Sequence, residues 1–522
     1  MRRGNAGQPL PLTPSRKGRG NRATAFPLPL REGVRGRGLR DNAAGFTALL
    51  LCAAAAPAAE ARDFTLVTVG DLIIARPLSQ LRHPGAFPAA KGFDDALALL
   101  GGADVTYGNM ESTIFDSRDF SGSPYSWAGD WMLTSPPSVA SDLKSMGIGI
   151  VSRANNHALD WGAEGMRQTR YWVQAAGLAS AGTGETLDEA TAPGFLDTGE
   201  GKVAIVSMVS TFRPTTDALP VSPAAPYGRP GVNGLKVSAT ALVDAANYAK
   251  LAVITCSFAG TKPCPPAPAS LDLFGTAIRA TAPGETPFTY SYAMNKPDLD
   301  RNLEAVRQAK STAPFVIATI HAHEGLAEEA PPATWQDPAG FLKPLAHALI
   351  DKGADAFVVT GIHHVAGIEI YRGRPIFYGL GNFFWSDIQE PLSAELYDSI
   401  TDRRLLAASL AHPERATDDD LGLVLNADSA TFAPKGDAAR NRTFHTVLVR
   451  STFDRATGNV TAIRLYPIDL GYGDKLSRSG IPRRAGKTIA DLVLDRIARL
   501  SSGVAITKTE EDGYEIGIAV PR

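Results

Sequence analysis

From about residue 62 onward, short runs rich in apolar and β-branched residues alternate with stretches of helical character. That is how an α/β or a layered α-β-β-α domain reads. Strands are expected at Thr65–Val69, Asp104–Tyr107, Gly149–Ser152, Val203–Met208, Phe315–Ile320, Ala356–Val359, Ile368–Tyr371 and Pro375–Tyr378. Helices are expected at Gly162–Ala176, Asp298–Lys310 and Ala339–Lys352, the last closed by Gly353 as a C-cap. Between Thr211 and Pro297 the periodicity fades among many Pro and Gly, which predicts an irregular insertion near 211–297 within a domain spanning 62–388. The Ala- and Asp-rich stretch 389–442 reads as a second irregular excursion. Strands resume at Thr443–Ser451 and Asn459–Pro467, and an amphipathic helix follows at Lys487–Leu500. Residues 443–522 therefore complete the same domain.

The beginning of the chain reads differently. Residues 1–42 carry Arg, Gly and Pro with no apolar period, and are expected to be a disordered extension or the product of a start codon placed too early. Residues 43–61 look like a secretory signal: basic Arg37 and Arg40, an apolar run from Ala43 to Ala56, then small residues around Ala59-Glu60-Ala61. The apolar run falls short of the roughly 20 residues that span a bilayer. Export with cleavage near Ala61 is expected, to a periplasmic or extracellular location. Cys256 and Cys264 suit a loop disulfide in such a compartment, the alternative being two free thiols.

Charge sharpens this division. Of the net −2, residues 1–61 hold ten Lys/Arg against three acids, so the remainder carries about −9. A body this acidic has no global field for nucleic acid, and a polyanionic substrate would need a local basic patch or a metal.

Residues of metal-ligand type stand just past several predicted strands, where layered α/β folds collect their sites. Asp71 follows Val69-Gly70, a pair that taken alone is more often an ordinary turn. Asn109 and Glu111 would point the same way if the extended backbone persists, as ligands or as caps. Ala154-Asn155-Asn156-His157-Ala158-Leu159-Asp160 gathers two amides, an imidazole and a carboxylate that are costly to bury without partners. His321 and His323 would share a face of an extended segment, and Gly361-Ile362-His363-His364 closes the series. Five of the nine histidines fall in three of these clusters, a concentration that favours a metal over separate local explanations.

The order of these motifs, with Gly367-Ile368-Glu369-Ile370-Tyr371 and Leu380-Gly381-Asn382-Phe383, resembles the CapA-type capsule (poly-gamma-glutamate) synthesis family over roughly Phe64 to Thr507. The resemblance implies a calcineurin-like metallophosphoesterase sandwich. It implies a divalent metal (manganese, iron, zinc or magnesium) held by Asp71, Asn109, Glu111, Asn156, His321 or His323, and His363. One or two such ions would polarise a phosphoryl oxygen and acidify a bound water. It further implies catalytic roles for Asn156 and for His157, the latter as proton donor to the leaving oxygen. The chain departs from the full phosphoesterase pattern at Ile73, where that pattern has histidine, and at Thr360 or Gly361. The expected function is an exported, metal-dependent, phosphoesterase-like hydrolase of capsule or wall polymer synthesis. The alternative is a non-catalytic assembly or tethering component of an anionic-polymer pathway. Partners would be the polymer or a phosphoester, and a polymer-synthesis membrane complex, with no nucleic acid.

Overall fold

The computed structural model describes residues 63–81, 92–125, 132–260, 263–324, 338–386, 440–472, 474 and 478–521. The leader, the signal segment and nearly all of the 389–442 excursion lie outside them. The described residues build two facing sheets with helices on their outer faces.

The first sheet runs in the order β18 (Val504–Glu511), β19 (Tyr514–Pro521), β17 (Val460–Asp469), β16 (His445–Phe453), β1 (Phe64–Ile74), β2 (Val105–Met110), β3 (Ile150–Ser152) and β4 (Ala179–Ala181). A further strand, β15 (Asn382–Ser386), pairs in parallel with the end of β1. The second sheet runs β13 (Ile368–Tyr371), β14 (Arg374–Phe377), β12 (Ala356–Thr360), β11 (Phe315–His321), β6 (Gly201–Val209) and β5 (Gly194–Thr198). The strands that carry the site, β1–β2–β3 and β11–β12, are parallel within their sheets, so their C-terminal ends open at one edge.

Side-chain alternation builds the layers. Leu66, Tyr107, Ile150, Ile205, Ile317 and Val358 meet in the core between the sheets. Their chain neighbours Val67 and Val151 turn outward to pack on the helices Phe93–Ala98, Ser138–Ser145 and α1 (Gly162–Ala175). On the other side Val206, Ala318 and Val359 pack against α3 (Lys296–Thr312) and α4 (Leu342–Asp351). Strands buried on both faces read as continuous apolar runs, which is why the sequence locates them. Tyr107 ties the sheets together near the open edge. Its hydroxyl lies 3.0 Å from Ser152 Oγ and 2.7 Å from Thr319 Oγ1 of the facing sheet.

The insertion near 211–297 is more ordered than its fading periodicity predicts. It holds a four-stranded sheet, β8 (Leu271–Leu273), β9 (Thr276–Ala280), β7 (Val237–Val243) and β10 (Thr289–Met294), with α2 (Ala245–Phe258) beside it. Its core is small, centred on Tyr248, Leu271 and Ile278, and the disulfide Cys256–Cys264 fastens the end of α2. Short, half-exposed strands carry little apolar signal, and that explains the difference from expectation. The closing hairpin β18–β19 was likewise not anticipated. The helix Lys487–Leu500, α5, lies where it was expected.

Candidate metal centre

Asp71 sits where β1 shifts register against both neighbours, opposite Asn109 on β2 and Asn382 on β15. Such irregularities re-aim side chains, and here the carboxylate turns into the space between the sheets. Gly70 permits this crossing, since a Cβ there would stand 1.7 Å from the Gly381 carbonyl oxygen. Asp71 Oδ1 accepts from Asn109 Nδ2 at 2.8 Å and Oδ2 from the Gly361 amide at 3.1 Å. Burial alone would raise its pKa. The hydrogen bond and charge of His363, the charge of His321 and the Asn109 amide together hold the carboxyl well below the usual range.

Glu111 behaves in the opposite way. It is fully buried, and neither carboxylate oxygen has a hydrogen-bond partner. Burial first, then the neighbouring Asp71 charge, pushes its pKa well above normal. Three imidazoles surround it: His321 Nε2 at 3.5 Å, His363 Nε2 at 3.9 Å and His157 Nε2 at 4.0 Å from Oε1.

Both histidines of the 321–323 pair take part. His321 Nε2 and His323 Nε2 are 3.0 Å apart, and burial depresses the pKa of both, that of His321 to about 3. A Cβ at Gly361 would come within 2.9 Å of His321 Nε2 and of His323 Cδ2, so glycine keeps the room for this pair. His363 adopts a left-handed backbone, φ 52°, with Nδ1 2.9 Å from Asn382 Oδ1 and 3.3 Å from Asp71 Oδ2. The ligand-type atoms fall into two groups within 4.8 Å, Asp71–Glu111–His321 and Glu111–His323–His363, which share Glu111. Asn156 has a side-chain oxygen that is buried with no hydrogen-bond partner.

Hydrogen bonds fix both ends of the Asn109 amide. Asn155 Oδ1 accepts from the His157 amide and Asn155 Nδ2 donates to the Met110 carbonyl, so backbone groups at both ends fix that side chain. Its Nδ2 lies 3.3 Å from Asn109 Oδ1, which also accepts from Ser152 Oγ at 2.7 Å. The Asn109 nitrogen is thereby turned toward Asp71 Oδ1 and to within 3.1 Å of His321 Nδ1. In this arrangement the Asn109 nitrogen holds two ligand-type side chains, while its oxygen faces Ser152 and Asn155.

His157 stands at the edge of the cluster. Its Nδ1 lies 2.7 Å from Asp160 Oδ2, and the other Asp160 oxygen accepts from Arg213 Nη1 at 3.0 Å. The Leu133 amide also donates to Asp160 Oδ2, at 2.7 Å. The sequence reading missed Asp160 as the partner of His157, although its place three residues on was visible. It had no signal for Arg213, which lies in the aperiodic stretch. His364 is buried apart from both ligand groups, and Glu324 accepts hydrogen bonds from Ser210 and Thr211 instead of joining the cluster.

Fold and site together define a two-sheet α/β sandwich with a carboxylate–imidazole cluster at its strand ends. The chain belongs to the family described as Bacterial capsule synthesis protein PGA_cap, which matches residues 65–386. It is 38% identical over 459 residues to protein y4sH of Sinorhizobium fredii, covering 86% of this chain and 92% of that one. It is 22% identical over 315 residues to the PGA biosynthesis protein CapA of Bacillus subtilis, covering 60% of this chain and 61% of that one. Among solved structures, a novel phosphatase from Mycoplasma pneumoniae aligns with a TM-score of 0.33 and 12% identity, over 78% of this chain and 94% of that one.

Proposed function

We propose that this protein is an exported, divalent-metal-dependent hydrolase acting on a phosphoester bond in the synthesis of an anionic capsule or wall polymer. The observation that carries the reading is Glu111, a buried carboxylate with two bare oxygens facing imidazole nitrogens and a second carboxylate. Such a group is expensive in a metal-free protein and is satisfied by a cation. Asp71, Glu111, Asn156, His321, His323 and His363 would hold the metal. The mixed imidazole and carboxylate donors suit zinc, iron or manganese better than magnesium. When bound, the metal supplies Lewis-acid polarisation of a phosphoryl oxygen and acidification of water.

The chain's own residues supply the proton chemistry. Asp160 accepts the Nδ1–H of His157, which leaves Nε2 facing the cluster. In the protonated form Nε2 would deliver a proton to the leaving oxygen, and the pairing of Arg213 with Asp160 fixes the direction of that carboxylate. The disulfide Cys256–Cys264 supports an oxidising, extracytoplasmic location. Cleavage near Ala61 is tested by the mass of the exported protein's N-terminus, with a start near Arg62 expected.

The test of activity pairs elemental analysis with a phosphodiester assay in added manganese. Wild type is expected to carry metal and turn over, whereas Asp71→Ala loses both. A second reading, a non-catalytic tethering component of a poly-gamma-glutamate-type pathway docked on a membrane complex, is favoured by Ile73, which is 4% exposed and offers no ligand beside Asp71. Metal-loaded protein with no metal-dependent rate on any phosphoester would select it.

A further inference from the structure

Asn382 opens β15, and the sequence marks it only as part of the motif Leu380-Gly381-Asn382-Phe383. It is 1% exposed and stands opposite Asp71 in the parallel pairing of β15 with β1. Its amide is engaged at both ends. Nδ2 donates to the Thr443 carbonyl at 3.2 Å, and Oδ1 lies 2.9 Å from His363 Nδ1. A carbonyl can only accept, so Thr443 takes the nitrogen end and the oxygen is left to the ring. Asp71 Oδ2, 3.3 Å from the same ring nitrogen, is also an acceptor. Two acceptors hold the proton of the neutral imidazole on Nδ1, and its lone pair then lies on Nε2, 3.9 Å from Glu111 Oε1.

The contact crosses from one sheet to the other. His363 follows β12 of the second sheet, whereas Asn382 belongs to the first through β1. Gly381 serves the same junction, its carbonyl accepting from the Asp71 amide at 3.2 Å, so one dipeptide holds two ligand-type residues from opposite sheets. Trp385 and His323 meet the His363 ring edge to face, with centroids 4.8 and 5.4 Å away. Those contacts place the ring without telling its two nitrogens apart. Asp71 does tell them apart, but it is itself among the residues that would hold the metal. Among the described residues, Asn382 Oδ1 has His363 as its hydrogen-bond partner and no other. His363 also has a left-handed backbone, which a residue other than glycine keeps where tertiary contacts over-determine it.

We propose that Asn382 is a positioning residue for the metal centre: it fixes the His363 tautomer, so that Nε2 is presented together with Glu111 and His323 as one ligand group. This rests on the reading of the cluster as a metal centre. Asn382 touches no reacting atom and acts through the imidazole. An acceptor on the far nitrogen holds the ring's direction and makes the near nitrogen a stronger donor, and loss of such a partner typically weakens metal binding about 10- to 100-fold.

Two measurements on the full chain test this. In metal-free protein labelled with nitrogen-15 at histidine, the imidazole signals of His363, assigned by their loss in His363→Gln, should show the ring proton on Nδ1. A proton on Nε2 would overturn the proposal, and this measurement needs no variant of Asn382. Cobalt(II) titration, followed by visible absorption, is then compared among variants whose fold is confirmed by circular dichroism. Asn382→Leu, which keeps the volume and removes the acceptor, should weaken cobalt binding about 10- to 100-fold. Asn382→Asp, which returns an acceptor to Nδ1 without the donor to Thr443, should recover most of that loss. Equal affinity in wild type and Asn382→Leu would overturn the proposal and leave the metal reading intact. Equal weakening in both variants would reduce Asn382 to a support for the Thr443 carbonyl and overturn it as well. Absence of cobalt binding in wild type would instead overturn the metal reading, and the proposal with it.

Discussion

The Glu111 cluster and the His157–Asp160–Arg213 arm stand side by side, yet they treat buried charge in opposite ways. In the arm every charge has a counterpart: Asp160 receives Arg213, the Leu133 amide and His157. In the cluster Glu111 receives nothing, while the His321 and His323 ring nitrogens stand 3.0 Å apart. Buried polar groups are normally satisfied, so a satisfied set needs no visitor and an unsatisfied one is built around something absent from the polypeptide. On the proposed reading the arm handles the proton and the cluster holds the cation.

Mutating the arm should separate these roles most sharply. His157→Ala is expected to slow metal-dependent turnover by on the order of 10²- to 10⁴-fold while metal content stays near wild type, read by rate and elemental analysis on the same preparations. Loss of metal in step with rate would merge the two regions into one. Asp160→Asn, which cannot hold the imidazole in the same way, should cost about 10- to 100-fold in rate, again with metal retained. Its pH–rate profile should move relative to wild type, as a purely structural change would not require.

Stability without metal should break the comparison in the other direction. In chelator, Glu111→Gln is expected to raise unfolding free energy by about 1–3 kcal/mol, because it replaces a carboxyl group whose ionised form burial and then Asp71 disfavour. With metal present the same change should destabilise. A loss of stability in both conditions would mean that Glu111 is held by the polypeptide after all.

The smallest effect concerns pH. His321 and His323 have depressed folded pKa values, so the stability they contribute is complete above about 6.5 and is lost as pH falls toward the folded values, near 3 for His321. Each histidine contributes a slope of at most about 1.4 kcal/mol per pH unit. Glu111 has the opposite sign: its folded pKa is raised, so acidification toward its unfolded value of 4.5 restores stability. Metal-free Glu111→Gln should therefore lose stability more steeply than wild type between pH 6.5 and 4.5, by denaturant midpoint. Parallel slopes would remove Glu111 from this balance.

Much of this was legible in the sequence, for a physical reason. Strands buried on both faces, such as Phe315–His321, are nearly continuous apolar runs, and polar residues directly after them stand out. Asp71, Glu111, His321, His323 and His363 were all marked in that way. The role of Asn109 was not legible, because an amide's direction depends on Asn155 and Ser152, which reach it through hydrogen bonds across strands. Arg213 arrives from a loop without periodicity, and the insertion's strands are too exposed to announce themselves. Spacing located the polar groups, and only the tertiary hydrogen bonds distinguished supports from ligands.

The central claim is that Glu111 is held for a cation, and the most direct test is the metal content of purified wild type beside Glu111→Ala after identical dialysis without chelator. Glu111 is common to both groups of ligand-type atoms, so the account predicts bound divalent metal in wild type and near-complete loss in the variant, with the fold confirmed by circular dichroism. Equal metal in the two proteins, or none in wild type after reconstitution with manganese, zinc or iron, would contradict it.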